Sequence, residues 1–199
     1  TNFDTSNVET MQYMFYNLNK VKKLDLSHFN TENVKSMEGM FAHMVSLESL
    51  DLSHFDTSNV ATMRDMFAYM TSLRSLNLSG FNTSNVTIMQ DMFAATSALQ
   101  TLDLSSFDTR KVTNMQSMFF NMSSLKNLIV TSFNTENVKN MNAMFAHTDS
   151  LEELDLSSFK TPKVKTFRAM FYTDRPEANI TRRIYASADF DIRAALAYN

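Results

Sequence analysis

A sequence phrase that returns every 26 residues is the feature that most constrains this chain. A Met-Phe pair recurs without a slip in the step, with its phenylalanine at Phe15, Phe41, Phe67, Phe93, Phe119, Phe145 and Phe171. A second phenylalanine series keeps the same step from Phe3 to Phe159. A fixed period of this length is typical of a solenoid, in which each repeat is one supersecondary unit stacked on the next. The 199 residues are therefore predicted to form one elongated array.

One segment of each repeat has the alternation of a half-buried strand. Leu50 and Leu52 alternate with Ser49, Asp51 and Ser53, a period of two that separates apolar from polar side chains. The equivalent segments predict six strands, near residues 23–27, 49–53, 75–79, 101–105, 127–131 and 153–157. Because all strands run in one direction with a crossover between neighbours, we expect them to pair in parallel.

The crossover of each repeat has apolar residues at helical spacing. In the same copy they are Val60, Met63, Met66, Phe67 and Met70, which would lie on one stripe of a helix. Asp56 or Thr57 would supply the N-cap, so a short helix is expected over residues 58–69. The predicted fold class is α/β: a right-handed solenoid with a parallel sheet on its concave side and short helices on its convex side.

The pattern divides the chain into two parts. Residues 1–171 carry the repeats, of which the first is incomplete, and the phrase breaks after Phe171. Residues 172–199 are predicted to form a C-terminal cap, with an irregular strand near 179–185 and a terminal helix over 188–198. A cap is expected because the end of a solenoid otherwise exposes apolar side chains and an unpaired strand edge.

Composition argues against several classes of protein. The 18 basic and 21 acidic residues give a net charge of −3, so no basic excess indicates a nucleic-acid partner. No apolar run approaches the ~18 residues of a membrane span, and we expect no membrane insertion. The lack of cysteine excludes disulfides and thiolate metal sites. With two glycines and no patterned pair of nucleophile and base, the sequence predicts no catalytic residues, no cofactor and no enzyme activity.

Two columns of side chains are predicted to point outward from the strands on the concave side. The first is mostly acidic and consists of Asp25, Asp51, Asn77, Asp103, Ile129 and Asp155. The second is irregular, and its charged or amide members are Lys23, Asn127 and Glu153. We consider both columns candidate ligand-binding residues. Two alternatives stay open, because the acidic column also fits a solvated consensus position and the irregular column also fits neutral drift.

Two histidines extend the candidate ligand-binding residues. His28 and His54 occupy equivalent positions on adjacent repeats, close in sequence to Asp25 and Asp51. They lack the further ligands that zinc requires, and no metal site is predicted. Parallel strands lie about 4.8 Å apart, so repulsion between the two aspartates is expected to raise their pKa. Together with histidine protonation, mild acid would then favour an anionic ligand.

The phrase LDLSxF-[DN]-T-x-x-V-x-x-M-x-x-MF resembles the BspA-like leucine-rich repeat family of bacterial surface proteins, over about residues 1–171. Many members carry cysteine three residues after the Met-Phe pair, where this chain has Leu18, Met44, Met70, Thr96, Met122 and Thr148. The resemblance implies a leucine-rich-repeat solenoid in a protein that is secreted or attached to the cell wall or cell surface.

The same resemblance implies the binding module of a bacterial surface adhesin. Its concave face would contact host mucin glycans or extracellular matrix proteins, and we expect the module to be a monomer. The alternative is a structural spacer, or stalk, that projects other domains from the cell surface. The two functions differ in whether the concave face carries side chains that a ligand uses.

Overall fold

Short parallel strands form where leucine alternates with polar residues. The structure, a computed structural model, describes residues 3–174 and 183–197. In chain order the elements are β1 (Ser49–Asp51), β2 (Ser75–Asn77), β3 (Thr101–Asp103), β4 (Asn127–Ile129), β5 (Glu153–Leu156), β6 (Arg183–Ala186) and α1 (Ile192–Ala197). The leucines inside β1 and β3 are buried between exposed neighbours, as a strand with one wet face requires.

Neighbouring strands pair in parallel and in register. β1 pairs with β2, β3 with β4, and β5 with β6, as three two-stranded sheets. Leu50 lies opposite Leu76, one repeat further along the chain. The predicted parallel pairing is confirmed. Two details differ within the described part of the chain: the sheet is interrupted between the pairs, and residues 23–27 form no strand, although Leu26 is buried.

A second parallel ladder, which we did not predict, runs through the crossover segments. Isolated parallel bridges join one residue of each repeat to its equivalent in the next. The bridged residues are Thr10, Ser36, Thr62, Ile88, Asn114, Asn140 and Thr166. Each repeat therefore meets its neighbours through backbone contacts at two places, and the chain forms a repeat solenoid.

The predicted helix over residues 58–69 is wrong. Among the described residues, this segment and its equivalents form runs of turns instead. Each full copy contains two positions four residues apart with positive φ, such as Asp65 at 55° and Tyr69 at 61°. The first position recurs as Tyr13, Gly39, Asp65, Asp91, Ser117, Ala143 and Ala169. Right-handed helical winding cannot pass through a left-handed residue.

Backbone hydrogen bonds between repeats explain why turns replace the helix. The N–H groups of residues 65, 67 and 69 donate to the carbonyl oxygens of residues 90, 92 and 94, at N···O distances of 3.0, 2.9 and 2.7 Å. The N–H groups of Met66 and Ala68 close turns by donating three residues back. In a helix all of them would donate four residues back. The apolar spacing still predicted burial correctly, because Met63, Met66 and Phe67 are fully buried.

The phenylalanines of the Met-Phe pairs form a continuous column through the core. Phe67 stacks on Phe41 with ring centroids 5.8 Å apart and on Phe93 at 5.5 Å. The stacked column extends from Phe15 to Phe171. Aromatic pairs of this kind contribute about 0.5–1.5 kcal/mol beyond burial. Because the neighbouring repeats supply the rings on either side, no repeat completes its core alone.

A buried threonine in each repeat links it to the next. The Oγ1 of Thr57 donates to the carbonyl oxygen of Asn82 at 2.9 Å and accepts the Asn82 N–H at 2.8 Å. The same donation recurs at Thr5, Thr31, Thr83, Thr109 and Thr135. The predicted N-cap role of Thr57 is therefore wrong, and Asp56 instead accepts the N–H of Ser58 in a tight turn.

The C-terminal residues continue the sheet and then cover one part of the core. β6 pairs in parallel with β5, and α1 follows it. Phe190 packs edge-to-face against Phe159 and Phe167. The predicted strand near 179–185 and helix over 188–198 lie partly outside the described residues, at 179–182 and 198. The division of the chain at residue 171 stays a prediction.

The left-handed positions generate a prediction about alanine. Ala143 has a φ of 52°, whereas the exposed Ala61 is not among the positive-φ residues. A left-handed conformation costs a non-glycine residue roughly 1–2 kcal/mol, and glycine otherwise loses about 0.5–1 kcal/mol against alanine. We therefore expect Ala143→Gly to keep or raise the denaturant midpoint and Ala61→Gly to lower it. Equal losses in both variants would contradict the turn conformation.

Candidate functional site

The outward side chains of the strands, with those of the equivalent segment at residues 23–27, form one largely exposed surface, which we call the strand face. It comprises the two columns given by residues 23, 49, 75, 101, 127 and 153 and by residues 25, 51, 77, 103, 129 and 155. Lys23, Asn127 and Glu153 are exposed, as predicted for the irregular column. The in-register pairing brings Asp51 beside Asn77 and Asp103 beside Ile129.

Ile129 is less prominent on the strand face than its sequence position indicated. Its side chain is half-buried, whereas Asp51 and Asp103 at the equivalent positions are exposed. Asp155 is also half-buried. Ile129, which was predicted to point outward with the other members of its column, is therefore only partly accessible to a ligand.

Each aspartate of the acidic column is fixed in a turn, which for Asp51, Asp103 and Asp155 lies at the end of a strand. The Oδ1 of Asp25 and of Asp51 accepts the N–H two residues later, at 3.0 Å in both cases. Asp103 and Asp155 make the same bond at 2.9 Å. Asn77 replaces the carboxylate with an amide oxygen and keeps the bond at 3.2 Å. The acidic column therefore serves a local structural role whether or not a ligand uses it.

These hydrogen bonds reverse the expected pKa shift of the aspartates. The Ser27 N–H and hydroxyl lower the pKa of Asp25, and Ser53 does the same for Asp51. The predicted increase from mutual repulsion is therefore wrong, because bonding to the charged form outweighs repulsion between solvated carboxylates. Hydrogen bonds to serine likewise lower the pKa of Asp103 and of Asp155. The acidic column stays ionised through mildly acid pH.

The two histidines lie at the edge of this surface. His28 is exposed, and the Nε2 of His54 lies 2.9 Å from the carbonyl oxygen of Leu26. The ring of His54 packs edge-to-face on Phe55 at 5.0 Å. The Coulomb effect of both histidines lowers the pKa of Asp25 slightly further. Charge on either histidine would therefore hold the nearby carboxylate ionised, not neutralise it.

The last strand adds two residues to the strand face that we did not include. The carboxylate of Glu153 forms an ion pair with the guanidinium of Arg183 on β6. Tyr185 pairs in register with Asp155 and is largely exposed. Both residues lie in the irregular strand predicted near 179–185, but the break in the repeat phrase after Phe171 left its register, and so its outward positions, unassigned. Only Ile180 kept the strand phase, and it lies outside the described residues.

Two kinds of feature are absent from the part of the chain that the structure describes. Within residues 3–174 and 183–197, no group of three or more His, Cys, Asp or Glu side chains is arranged to hold a metal ion. The same part of the chain contains no helix with the length and apolarity that a bilayer crossing requires.

The lowered pKa values lead to a titration prediction. We expect carbon-detected NMR of the side-chain carboxyls to place Asp25, Asp51, Asp103 and Asp155 below the ordinary aspartate value of 3.8. Groups with depressed pKa values stabilise the fold above their unfolded pKa, and that contribution is lost as the pH falls through the folded pKa. A measured pKa above the ordinary aspartate value for Asp25 or Asp51 would instead support the hypothesis that repulsion between the two carboxylates dominates.

Comparison with known proteins identifies the repeat family. Two tandem matches to the family described as "Mycoplasma protein of unknown function, DUF285" cover residues 1–103 and 95–182. The comparison with curated proteins finds no match. The tandem matches agree with a repeat solenoid and indicate a repeat protein of bacterial origin. Because they cover most of its length, this chain belongs to the family described as Mycoplasma protein of unknown function.

Proposed function

We propose that the chain is an extracellular binding module of a bacterial surface adhesin. It would be a monomer, secreted or attached to the cell wall or cell surface, and would not be an enzyme. The strand face would be the concave face of a right-handed solenoid and would contact host mucus glycans or extracellular matrix proteins. The likeness of the repeat phrase to BspA-like leucine-rich repeats supports this proposal.

One observation carries the proposal: the strand face combines a constant column with a variable one. The constant column holds carboxylates in fixed turns, so their orientation costs little entropy when a ligand binds. The variable column differs in charge and shape from one repeat to the next, from Lys23 to Asn127 and Glu153. This variation on an exposed surface is what a specific binding site requires.

The charge of the strand face narrows the class of ligand. Asp25, Asp51 and Asp103 are exposed and have lowered pKa values, so the face is negative at neutral and mildly acid pH. Anionic glycans would meet repulsion there. We therefore propose neutral glycans, or basic segments of matrix proteins, as the ligands. The hypothesis that mild acid favours an anionic ligand loses one of its two supports, the raised aspartate pKa values, and now depends on histidine protonation alone.

The spacer remains the second candidate function, and a different observation favours it. The stacked column from Phe15 to Phe171 and the threonine hydrogen bonds join consecutive repeats through the described array. Such an array resists bending between repeats, which suits a stalk that holds other domains away from a surface. A spacer needs no ligand on the strand face.

A binding screen with charge variants separates the two functions. The chain would be tested on arrays of neutral and sulfated mucin glycans and on immobilised collagen and fibronectin. The variant Asp25→Asn/Asp51→Asn/Asp103→Asn removes three charges from the strand face, and Asn77 shows that asparagine keeps the turn. We expect binding to a neutral glycan or a basic matrix segment, and at least a tenfold loss in the variant.

The chain offers a matched control for this variant. Asp4, Asp56 and Asp108 accept a backbone N–H two residues later, and their column alternates with Asn30, Asn82 and Asn134, which make the same bond. Asp4→Asn/Asp56→Asn/Asp108→Asn therefore removes three charges outside the strand face. Binding should survive in this control. Silence across all probes would favour the spacer, and equal losses in both variants would argue against the strand face.

A further inference from the structure

A cleft on the turn segments lies outside the strand face. It has a volume of about 370 Å³, and its floor is formed by the small side chains of Ala42 and Ala68. Its walls are Tyr13, Tyr16, His43, Asp65 and Tyr69. At the floor position other repeats carry Ala94 and then Phe120, which packs against the same alanine cluster. The alanines thus make a recess that the equivalent aromatic residues would fill.

The walls of the cleft are aromatic and remain exposed. The rings of His43 and Tyr69 stack with centroids 4.5 Å apart, and Tyr16 meets His43 edge-on at 5.3 Å. Tyr13 meets Tyr16 edge-on at 5.7 Å. Tyr13, Tyr16 and Tyr69 are each nearly half exposed, at 48%, 47% and 45%. Large aromatic side chains held against one another and open to solvent are characteristic of ligand-binding surfaces.

The backbone of this segment fixes the aromatic rings. Tyr13 and Tyr69 have positive φ values of 53° and 61°, in positions held by hydrogen bonds to the next repeat. The hydroxyl of Tyr13 donates to Glu38 at 2.9 Å. Gly39 lies beneath the Tyr13 ring, where any added Cβ would overlap the ring atoms. The ring of Tyr13 can occupy this place only because position 39 is glycine.

Carboxylates give the cleft a negative charge. Burial, together with repulsion from Asp91 and Glu38, raises the pKa of Asp65 to about 6, although the Arg64 guanidinium opposes the increase. Asp65 is therefore mostly ionised at neutral pH and becomes neutral in mild acid. The Arg64 guanidinium donates to Gln90 at 2.7 Å, so part of its hydrogen-bonding capacity is directed to the neighbouring repeat.

We propose that this cleft binds the quaternary ammonium group of a choline-type ligand. Such a group is a large cation with methyl surfaces and no hydrogen-bond donor. It is attracted by aromatic rings and by nearby carboxylates, and it loses little hydration on entering an apolar recess. The cleft supplies the rings of Tyr13, Tyr16 and Tyr69, a floor of alanine methyl groups, and the carboxylate of Asp65 in its wall.

The first test compares choline with its uncharged carbon isostere, in which carbon replaces the ammonium nitrogen. The intact chain would be titrated with each by NMR while the ring signals of Tyr69 and His43 are followed. We expect saturable shifts with choline and at least fivefold weaker binding of the isostere. Equal affinity would overturn the proposal, because the cleft would then recognise shape and not charge. The proposal would also be overturned if simple sugars bound saturably and choline did not.

The pH dependence of choline affinity supplies a second test, which does not require a variant that weakens the fold. Choline affinity should rise between pH 5 and pH 7.5 as Asp65 ionises, and this rise should be reduced in Asp65→Asn. His43 also lines the cleft, so His43→Gln is measured in parallel. An affinity that does not change with pH in the unmodified chain would contradict the role of Asp65.

Two substitutions localise the site. Tyr69→Ala should weaken choline binding at least fivefold, while Tyr172→Ala, at another exposed tyrosine of the turn segments, should not. Vesicles of phosphatidylcholine, with phosphatidylglycerol vesicles as the control, distinguish a lipid headgroup from a soluble choline compound as the source of the group. An equal loss of choline affinity in both tyrosine variants would show that choline does not bind in this cleft. Absence of any choline binding would overturn the proposal outright.

Discussion

The backbone contact between one repeat and the next is the constraint on which the rest of the structure depends. Alternate N–H groups of the turn segment donate to carbonyl oxygens of the following repeat, and Thr57 adds a buried hydroxyl bridge to Asn82. These bonds specify a stacking distance, and the phenylalanine rings fill it at centroid spacings such as the 5.8 Å between Phe41 and Phe67. Neither interaction exists within a single repeat, so the stability of the array depends on the contacts between consecutive repeats.

The same constraint determines which side chains are free to act. The methionine and phenylalanine columns are packed in the core, and the threonine column is hydrogen-bonded to the next repeat. The asparagine column donates to the preceding repeat, as Asn59 does to the carbonyl oxygen of Glu32 at 2.7 Å. What remains are the outward positions of the strands and the outward positions of the turns. The strand face is acidic and regular with one variable column. The turn cleft is aromatic and local, since it is formed by tyrosine and histidine side chains of the first three repeats around an alanine floor.

The sequence predicted the solenoid, the parallel pairing and the burial of Met63 and Phe67, because each follows from a strict period and from apolar spacing. It did not predict the turns, since spacings of three and four fit helices and overlapping turns equally well. The positive φ of Asp65 and Tyr69 and the hydrogen bonds to the next repeat distinguish the turns from a helix, and neither of these two residues is glycine. Reading this segment as a helix also hid the cleft, although tyrosine at positions where other repeats carry alanine was a visible signal.

The aspartate pKa values show a second limit of prediction from sequence. The repeat spacing predicted that Asp25 and Asp51 are neighbours. It did not predict that a serine N–H two residues later donates to each carboxylate. A hydrogen bond at 3.0 Å acts on the charged form directly, whereas repulsion between exposed carboxylates is weakened by water and salt. The sign of the shift therefore depended on a local turn that the leucine pattern does not specify.

The most direct test of the account is the unfolding of a Thr57→Val variant beside Thr57→Ser. Valine keeps the volume of threonine but leaves the N–H and carbonyl of Asn82 without the Oγ1 partner, whereas serine keeps the hydroxyl. Leaving buried polar groups unsatisfied costs about 1–3 kcal/mol. We predict that Thr57→Val lowers the free energy of unfolding by about that amount, and that Thr57→Ser loses clearly less. If the valine variant is as stable as the unmodified chain, hydrogen bonding between repeats does not hold this solenoid together.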